Sequence, residues 1–276
     1  MATDFIVASS PRQPCVTCRP HSPSIAVGSG GDHPISVTIG HGLVYVVNDG
    51  GSGGIAGFRF DGGQLEPISG SQQPLSSGAS QPAQISLTPD ARSLVVTEKG
   101  TNRITTYAVG ADGAAGAPQF VTSAGETPFG FAFDKRGHLI VSEAFGGAPD
   151  ASTVSSYAVT SAGSELIDGP VATTETAACW VLVTGNGKYA YATNTGSGTL
   201  SGYAIGNDGS LTLLDANGVT GVSGGSPTDL SRSANSKFVY VRTGGSLVTF
   251  VIGSHGDLTN LGTTAVGAGI VGLASS

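Results

Sequence analysis

A repeat of about fifty residues is the feature that most constrains the fold of this chain. Five units can be aligned on a recurring apolar segment, and successive units begin about 46 to 50 residues apart. The unit starts are Pro34, Pro82, Pro128, Ala178 and Pro227. In the clearest unit, residues 127–147 read TPFGFAFDKRGHLIVSEAFGG, two apolar runs joined by a short polar turn. A steady period of this length predicts a solenoid or a propeller.

Each unit contains four short segments with the alternation expected of β-strands. The first strands are predicted at 35–39, 83–87, 129–133, 179–183 and 228–231, and the second at 43–47, 94–97, 139–142, 189–193 and 238–241. The third strands share an aromatic residue at one position: Phe58, Tyr107, Tyr157, Tyr203 and Phe250. Asp-Gly pairs that close tight hairpins follow three of them. The sequence therefore predicts an all-β fold, a β-propeller of four-stranded antiparallel blades with five complete blades.

The two ends of the chain depart from the repeat. Residues 1–24 contain four prolines and predict an irregular N-terminal tail, followed by a propeller domain over 25–276. Ile25–Val27 is interpreted as the last strand of a preceding blade, and Ile270–Ala274 as one further first strand. This arrangement predicts an incomplete ring that lacks close to two blades at its start and self-associates through its open seam. The alternative is that five blades close on themselves with the tail in the seam.

Composition narrows the class of partner. The net charge of −7 disfavours binding to nucleic acid or to anionic membranes. No segment has the length of a membrane span, and the N-terminus lacks a leader pattern, which predicts a soluble cytoplasmic protein. Cys15 and Cys18 form a single CxxC pair with no second ligand pair, so no metal site and no cofactor are predicted.

Several segments together resemble the lactonase-type seven-bladed β-propellers, the family related to 6-phosphogluconolactonase and 3-carboxymuconate cyclase. They include PISVTIGHGLVYVVNDGG, PAQISLTPDARSLVVTEKGTNRITTYAV, TPFGFAFDKRGHLIVSEAFGG and SKFVYVRTGG, and the resemblance extends over about residues 28 to 276. The family's first two blades have no counterpart apart from 25–27. The resemblance implies hydrolysis or cycloisomerisation of a sugar-acid or muconolactone-type lactone, and therefore a small lactone or hydroxy acid as ligand.

A ring of polar residues at the ends of the second strands is the predicted site, because the loops of successive blades converge at the mouth of a propeller's channel. Its members are Asn48, Glu98, Glu143, Asn194 and Thr243. Glu98 and Glu143 are the candidate general base and acid, since neighbouring carboxylates can have their pKa values pushed apart. The competing interpretation is that these groups cap strand ends and bind loop amides.

Other residues are candidates for binding substrate. Asn48 and Asn194 belong to the polar ring, and Lys99 and Arg103 could stabilise an oxyanion or bind a substrate carboxylate. His33 precedes the first strand of its blade, and Trp180 lies within a first strand, where it could form the floor of a pocket. Two further hypotheses compete with a lactonase: a noncatalytic binding propeller and a truncated, inactive paralogue.

Overall fold

The computed structural model describes residues 4–6, 26–266 and 273, and within these it is built almost entirely from β-strands. Five sheets follow one another along the chain, and each is an antiparallel meander in sequence order. The predicted all-β propeller of four-stranded blades is thereby confirmed. Cys15 and Cys18, and the predicted strand at 270–274 apart from Leu273, lie outside the described residues.

The strand bounds show how closely the repeat maps onto blades. Blade 1 comprises β3 Pro34–Gly40, β4 Leu43–Asn48, β5 Gly54–Asp61 and β6 Gln64–Pro67. Blade 2 comprises β7 Pro82–Leu87, β8 Ser93–Glu98, β9 Arg103–Val109 and β10 Ala115–Thr122. Blade 3 comprises β11 Pro128–Phe133, β12 Leu139–Glu143, β13 Thr153–Thr160 and β14 Gly163–Ala172, with a 3-10 turn at Phe145–Gly147.

Blades 4 and 5 keep the same order with one irregularity. Blade 4 comprises β15 Ala178–Val183, β16 Tyr189–Asn194, β17 Thr199–Ile205, β18 Leu211–Leu213 and β19 Gly221–Val222. Its outermost strand is interrupted, so that β18 and β19 pair with different parts of β17. Blade 5 comprises β20 Pro227–Arg232, β21 Phe238–Thr243, β22 Ser246–Ile252 and β23 Leu258–Ala265.

The N-terminal segment differs from the sequence prediction at one point. Asp4–Ile6 forms a strand, β1, inside the stretch predicted to be irregular, and it pairs with β2, Ala26–Gly28. Val27 of β2 packs on an apolar cluster of blade 1 that includes Val44 and Phe58. The segment interpreted as part of a preceding blade thus pairs with the N-terminal strand and covers part of blade 1.

The aromatic position of the third strands has a structural explanation. All five of its side chains are buried. Where the residue is tyrosine, its hydroxyl binds the backbone near the entry to a blade: Tyr107 donates to the carbonyl of Pro74 at 2.9 Å, and Tyr157 accepts the N–H of Ala124 at 2.8 Å. The ring fills the core while the hydroxyl satisfies a loop group, which is why an aromatic side chain with a polar tip suits this position.

Neighbouring blades pack through apolar side chains of their first and second strands. Ile85 and Leu87 of blade 2 lie in one buried cluster with Leu43, Tyr45 and Val47 of blade 1. Contacts between first strands join each blade to the next. Within the described residues, no comparable packing joins β3 of the first blade to β20 of the last. The five blades therefore do not close directly on each other.

The first strand of blade 1 consequently exposes apolar side chains. Ile35, Val37 and Ile39 are 37%, 38% and 56% exposed, whereas the equivalent Ala83, Ile85 and Leu87 of blade 2 are buried. The difference arises because blade 2 is covered by blade 1. This exposed face of β3 is the seam at which the sequence predicts self-association.

We expect Val37→Lys to reduce self-association of the chain, because a charge would be desolvated if the seam were covered. The measurement is the concentration dependence of the mass in light scattering. Val222→Lys is the matched control, since Val222 is 59% exposed on the outer part of blade 4. A parent protein that stays monomeric across the concentration range would contradict the prediction.

Candidate functional site

The polar ring at the ends of the second strands is buried in every blade. Its members show relative exposures of 3%, 0%, 0%, 0% and 7% for Asn48, Glu98, Glu143, Asn194 and Thr243. In four blades the backbone after the second strand bonds to the loop that enters the first strand of the same blade, and in blade 5 the side chain of Thr243 bonds to that loop. For example, the N–H of Lys99 donates to the carbonyl of Gln81 at 3.2 Å, and that of Gly100 to Ser80 at 2.9 Å.

Two local features allow this close approach. The residue before the first strand has a positive φ in four blades, with values of 56°, 44°, 58° and 57° at His33, Gln81, Thr127 and Ala177. In blade 2, a side-chain carbon at Gly100 would lie 2.1 Å from the carbonyl oxygen of Ala79, so only glycine fits there. The entry loop therefore folds over the end of the second strand and covers it.

Glu98 is surrounded by hydrogen-bond donors. It accepts the backbone N–H of Ser76 at 3.1 Å and the hydroxyls of Thr101 and Thr105 at 2.7 and 2.6 Å. The hydroxyl of Ser76 donates to the same carboxylate. Both carboxylate oxygens are thus occupied by protein donors from the entry loop and from the adjacent turn and third strand.

Glu143 occupies the equivalent position in the next blade. Its carboxyl group accepts the hydroxyl of Ser123 from the entry loop at 3.3 Å and the hydroxyl of Thr153 from the third strand. Burial raises the pKa of Glu143 above its usual value, and the hydrogen bonds from Thr153 and Ser123 partly offset that rise in pKa.

The neutral members of the ring make the same kind of contact. Asn48 accepts the hydroxyl of Ser29 at 2.7 Å and donates to its carbonyl at 3.1 Å. Asn194 donates to the hydroxyls of Thr199 and Ser201, and Thr243 donates to the carbonyl of Gly224 at 2.7 Å. Carboxylates, amides and a hydroxyl thus make hydrogen bonds to loop or third-strand groups at the equivalent position of all five blades. This geometry supports the interpretation that they cap the strand ends. It places neither Glu98 nor Glu143 where substrate could reach it.

His33 and Arg103 lie away from the centre of the molecule. His33 has a side chain that is 73% exposed, with its Nδ1 4.0 Å from Oδ2 of Asp49. The guanidinium of Arg103 lies 5.4 Å from the ring centre of Phe120 on the outermost strand of blade 2. Arg103 pairs with Glu98 across β8 and β9, and the carbonyl of His33 accepts the N–H of Asp49 beside Asn48. Neither His33 nor Arg103 lines the central cavity.

A cavity of about 310 Å³ at the centre is lined by the first strands of all five blades. Its lining includes Gln84 of blade 2, Trp180 of blade 4 and Asp229 of blade 5. Phe129 makes an edge-to-face contact with Trp180 at 5.5 Å, and the ammonium of Lys99 lies 4.9 Å from the Phe129 ring centre. Trp180, predicted to bind substrate, therefore lines the central cavity. Lys99, also predicted to bind substrate, is linked to Trp180 through the ring of Phe129.

Asp229 is the one titratable residue among the described residues that line this cavity. Its Oδ1 accepts the N–H of Leu230 at 2.7 Å and its Oδ2 the N–H of Leu273 at 2.6 Å. Burial raises the pKa of Asp229, while those N–H groups and the charge of Arg242 act in the opposite direction. Asp229 was missed as a catalytic candidate, although it aligns with Trp180, Gln84 and Ser36 in the repeat.

Arg242 and Cys179 are two further polar groups on the strands next to the channel. The Arg242 side chain donates to the hydroxyl of Thr228 at 2.5 Å, and its Nε is buried without a hydrogen-bond partner. The pKa of Cys179 is raised by burial, and the nearby charge of Lys99 lowers it in part. The salt bridges found among the described residues do not include Lys99 or Arg242, although the charge of Arg242 acts on Asp229.

The part of the chain that the structure describes contains no group of three or more His, Cys, Asp or Glu residues placed to hold a metal ion. In the same residues, no helix has both the length and the hydrophobicity needed to cross a bilayer.

The blades and the polar cavity between their first strands define a β-propeller with a channel large enough for a small ligand. Comparison with known families shows which β-propellers this chain resembles. Residues 71–168 match the family model described as "Lactonase, 7-bladed beta-propeller". This match lies over the second and third blades, and it confirms the resemblance to lactonase-type propellers. No match to the sequence of a curated protein is found.

Solved structures with similar folds are distant in sequence. A protein of Desulfotomaculum acetoxidans with unknown function is 17% identical, with a TM-score of 0.70 over 86% of this chain and 71% of that chain. A protein of Lactobacillus plantarum is 16% identical, with a TM-score of 0.69 over 88% and 74%. The periplasmic gluconolactonase of Pseudomonas aeruginosa is 18% identical, with a TM-score of 0.56 over 89% and 90%. At these identities the likeness shows the fold alone.

Proposed function

We propose that this chain is a lactonase that opens a sugar-acid or muconolactone-type lactone in the central channel. The observation that carries the proposal is the cavity lined by all five first strands, with Asp229 as its one titratable residue among those described. Its volume of about 310 Å³ is at the lower end of the range for small-molecule sites, which suits a single ring. The lactonase family match supports the reaction class.

Asp229 is assigned the role of general base. A water molecule attacks the lactone carbonyl carbon while its proton passes to the Asp229 carboxylate. The bond between that carbon and the ring oxygen then breaks, and the ring oxygen takes up the proton to give the hydroxy acid. A carboxylate whose pKa is raised by burial is a stronger base than an exposed one, which favours this role.

Lys99 and Trp180 are assigned to substrate binding. Trp180 forms part of the cavity wall, and the ammonium of Lys99 contacts Phe129, which in turn contacts Trp180. An ammonium group without a carboxylate partner in the described part of the protein attracts a carboxylate or phosphate on the substrate. The proposal does not use Glu98 or Glu143, because both are buried and bonded to protein donors.

We expect Asp229→Asn to lower kcat/KM about 100-fold or more, the usual contribution of a general base. Asparagine keeps one acceptor oxygen, for the N–H of either Leu230 or Leu273, and places an NH2 group near the other, so the folded state of the variant has to be compared with that of the parent. The assay is hydrolysis of gluconolactone-type and muconolactone-type substrates in a pH-stat, with folding checked by circular dichroism.

For an anionic substrate, Lys99→Met is expected to raise KM more than it lowers kcat in the same assay.

If Asp229→Asn is as active as the parent, the assignment of Asp229 as the base is wrong. If the folded parent has no activity, the lactonase proposal is wrong.

A noncatalytic binding propeller is the second candidate function. Asp229 occupies the same repeat position as Ser36 and Gln84, which accept hydrogen bonds from the next blade. A structural role of this kind for Asp229 favours the binding propeller. Calorimetric binding of a hydroxy acid to a parent without hydrolytic activity would support that candidate.

A further inference from the structure

The hydrogen bond between Leu273 and Asp229 belongs to a series that joins successive blades. In blades 1 and 2, the N–H of Ile85 donates to the hydroxyl of Ser36 at 3.2 Å. In blades 2 and 3, the N–H of Phe131 donates to Oε1 of Gln84 at 2.9 Å. In both cases, the third residue of one first strand accepts from the fourth residue of the next.

Asp229 and Leu273 make the same kind of contact. Asp229 is the third residue of the first strand of blade 5, as Ser36 and Gln84 are in their blades, and Leu273 belongs to residues 270–274, where the sequence predicts a further first strand. The N–H of Leu273 donates to Oδ2 of Asp229 at 2.6 Å. Leu273 therefore contacts blade 5 as blade 2 contacts blade 1 and as blade 3 contacts blade 2.

The acceptor in this last bond differs in chemistry from the others. Ser36 and Gln84 are neutral, whereas Asp229 can carry a charge, and it faces the central cavity. An N–H that donates to a carboxylate stabilises the ionised form, so this bond orients the carboxylate and opposes the rise in pKa that burial causes. Arg242 is the charged group that acts on Asp229 from the adjacent strand, and Leu230 supplies the second N–H.

We propose that the backbone N–H of Leu273 is a positioning group for Asp229 in the central channel. The inference rests on the proposed function for its catalytic consequence. The contact itself is independent of that function, because it follows from the blade-to-blade hydrogen-bond series. Leu273 acts through Asp229 and takes no part in the reaction.

Leu273→Pro removes the N–H and keeps an apolar residue, and Leu273→Ala is the matched control that keeps the N–H. Without the donated hydrogen bond, the ionised form of Asp229 is less stable and its pKa rises. We expect Leu273→Pro to move the acidic limb of the pH–rate profile to higher pH and to lower kcat/KM about tenfold, since one charge-assisted hydrogen bond contributes roughly that factor. Leu273→Ala should behave like the parent in both respects.

A second measurement separates this inference from the proposed function. Titration of the Asp229 carboxyl carbon by NMR, assigned with Asp229→Asn, reports the bond whether or not the protein is active. An inactive parent with a higher titration midpoint in Leu273→Pro alone would refute the lactonase proposal and support the positioning role. Equal midpoints in the parent, the proline variant and the alanine variant would overturn the inference. If circular dichroism shows that proline disturbs the fold, hydrogen exchange of the Leu273 N–H is compared in the parent and in Asp229→Ala, and equal exchange rates in the two would overturn the inference.

Discussion

Glu98→Ala is expected to lower the free energy of unfolding by about 3 kcal/mol or more, because each buried donor left unpaired costs about 1–3 kcal/mol. The substitution removes the acceptor for the N–H of Ser76 and for the hydroxyls of Ser76, Thr101 and Thr105. The hydroxyls can turn toward other acceptors, but the N–H of Ser76 cannot. The melting temperature should fall by roughly 6 °C or more in thermal denaturation, as expected for a chain of this size.

Two variants make this result specific. Glu98→Gln keeps one acceptor oxygen but places an NH2 group among donors, so it should be intermediate between the parent and Glu98→Ala. Glu66→Ala is the exposed control on β6, where about 0.5 kcal/mol or less is expected. If Glu98→Ala is as stable as the parent but lacks lactone hydrolysis, the capping interpretation fails and the catalytic assignment of Glu98 regains support.

Glu143→Gln is expected to change the dependence of stability on pH. The pKa of Glu143 is raised in the folded protein by burial, so the folded state holds this proton more tightly than the unfolded state does. Stability contributed by the proton is present below the unfolded pKa of 4.5, and it decreases as the pH rises from there through the folded pKa. Glutamine resembles the protonated acid and does not titrate, so this decrease should be absent in the variant.

The measurement is the melting temperature of Glu143→Gln minus that of the parent between about pH 4 and pH 8, a range set by the ordinary glutamate pKa. We expect this difference to become more favourable to the variant as the pH rises. Glu66→Gln is the matched control, because its side chain is exposed in both states. A difference that stays constant across the range would show that Glu143 does not titrate with the folding equilibrium.

The strands could be predicted from the sequence because their pattern is local. Alternation along five residues shows which side chains share a face, and the Asp-Gly pairs mark where hairpins close. The predicted second strand at 139–142 is observed as Leu139–Glu143, and the other second strands agree as closely. The strand at Asp4–Ile6 was not predicted, since three residues beside a proline-rich stretch carry too little pattern.

The candidate site was harder to predict because it depends on what covers each position. Glu98 and Glu143 align at strand ends, and alignment alone cannot show that Ser76 and Ser123 from the preceding loops close over them. The assignment of Trp180 was nearer to the structure, since it does line the cavity. Asp229 holds the same position in the repeat as Trp180. Whether its side chain faces the cavity depends on contacts between residues that are far apart in sequence.

The sequence by itself determined the blade: its period, its four strands, its buried aromatic position and the glycines of its turns. These follow from backbone geometry and from the alternation of apolar and polar side chains, which act over a few residues. Only the tertiary structure decided which polar groups face water, protein or the channel. That outcome depends on the packing of one blade against the next and on loops that fold back over strand ends, and a linear pattern does not encode those distances.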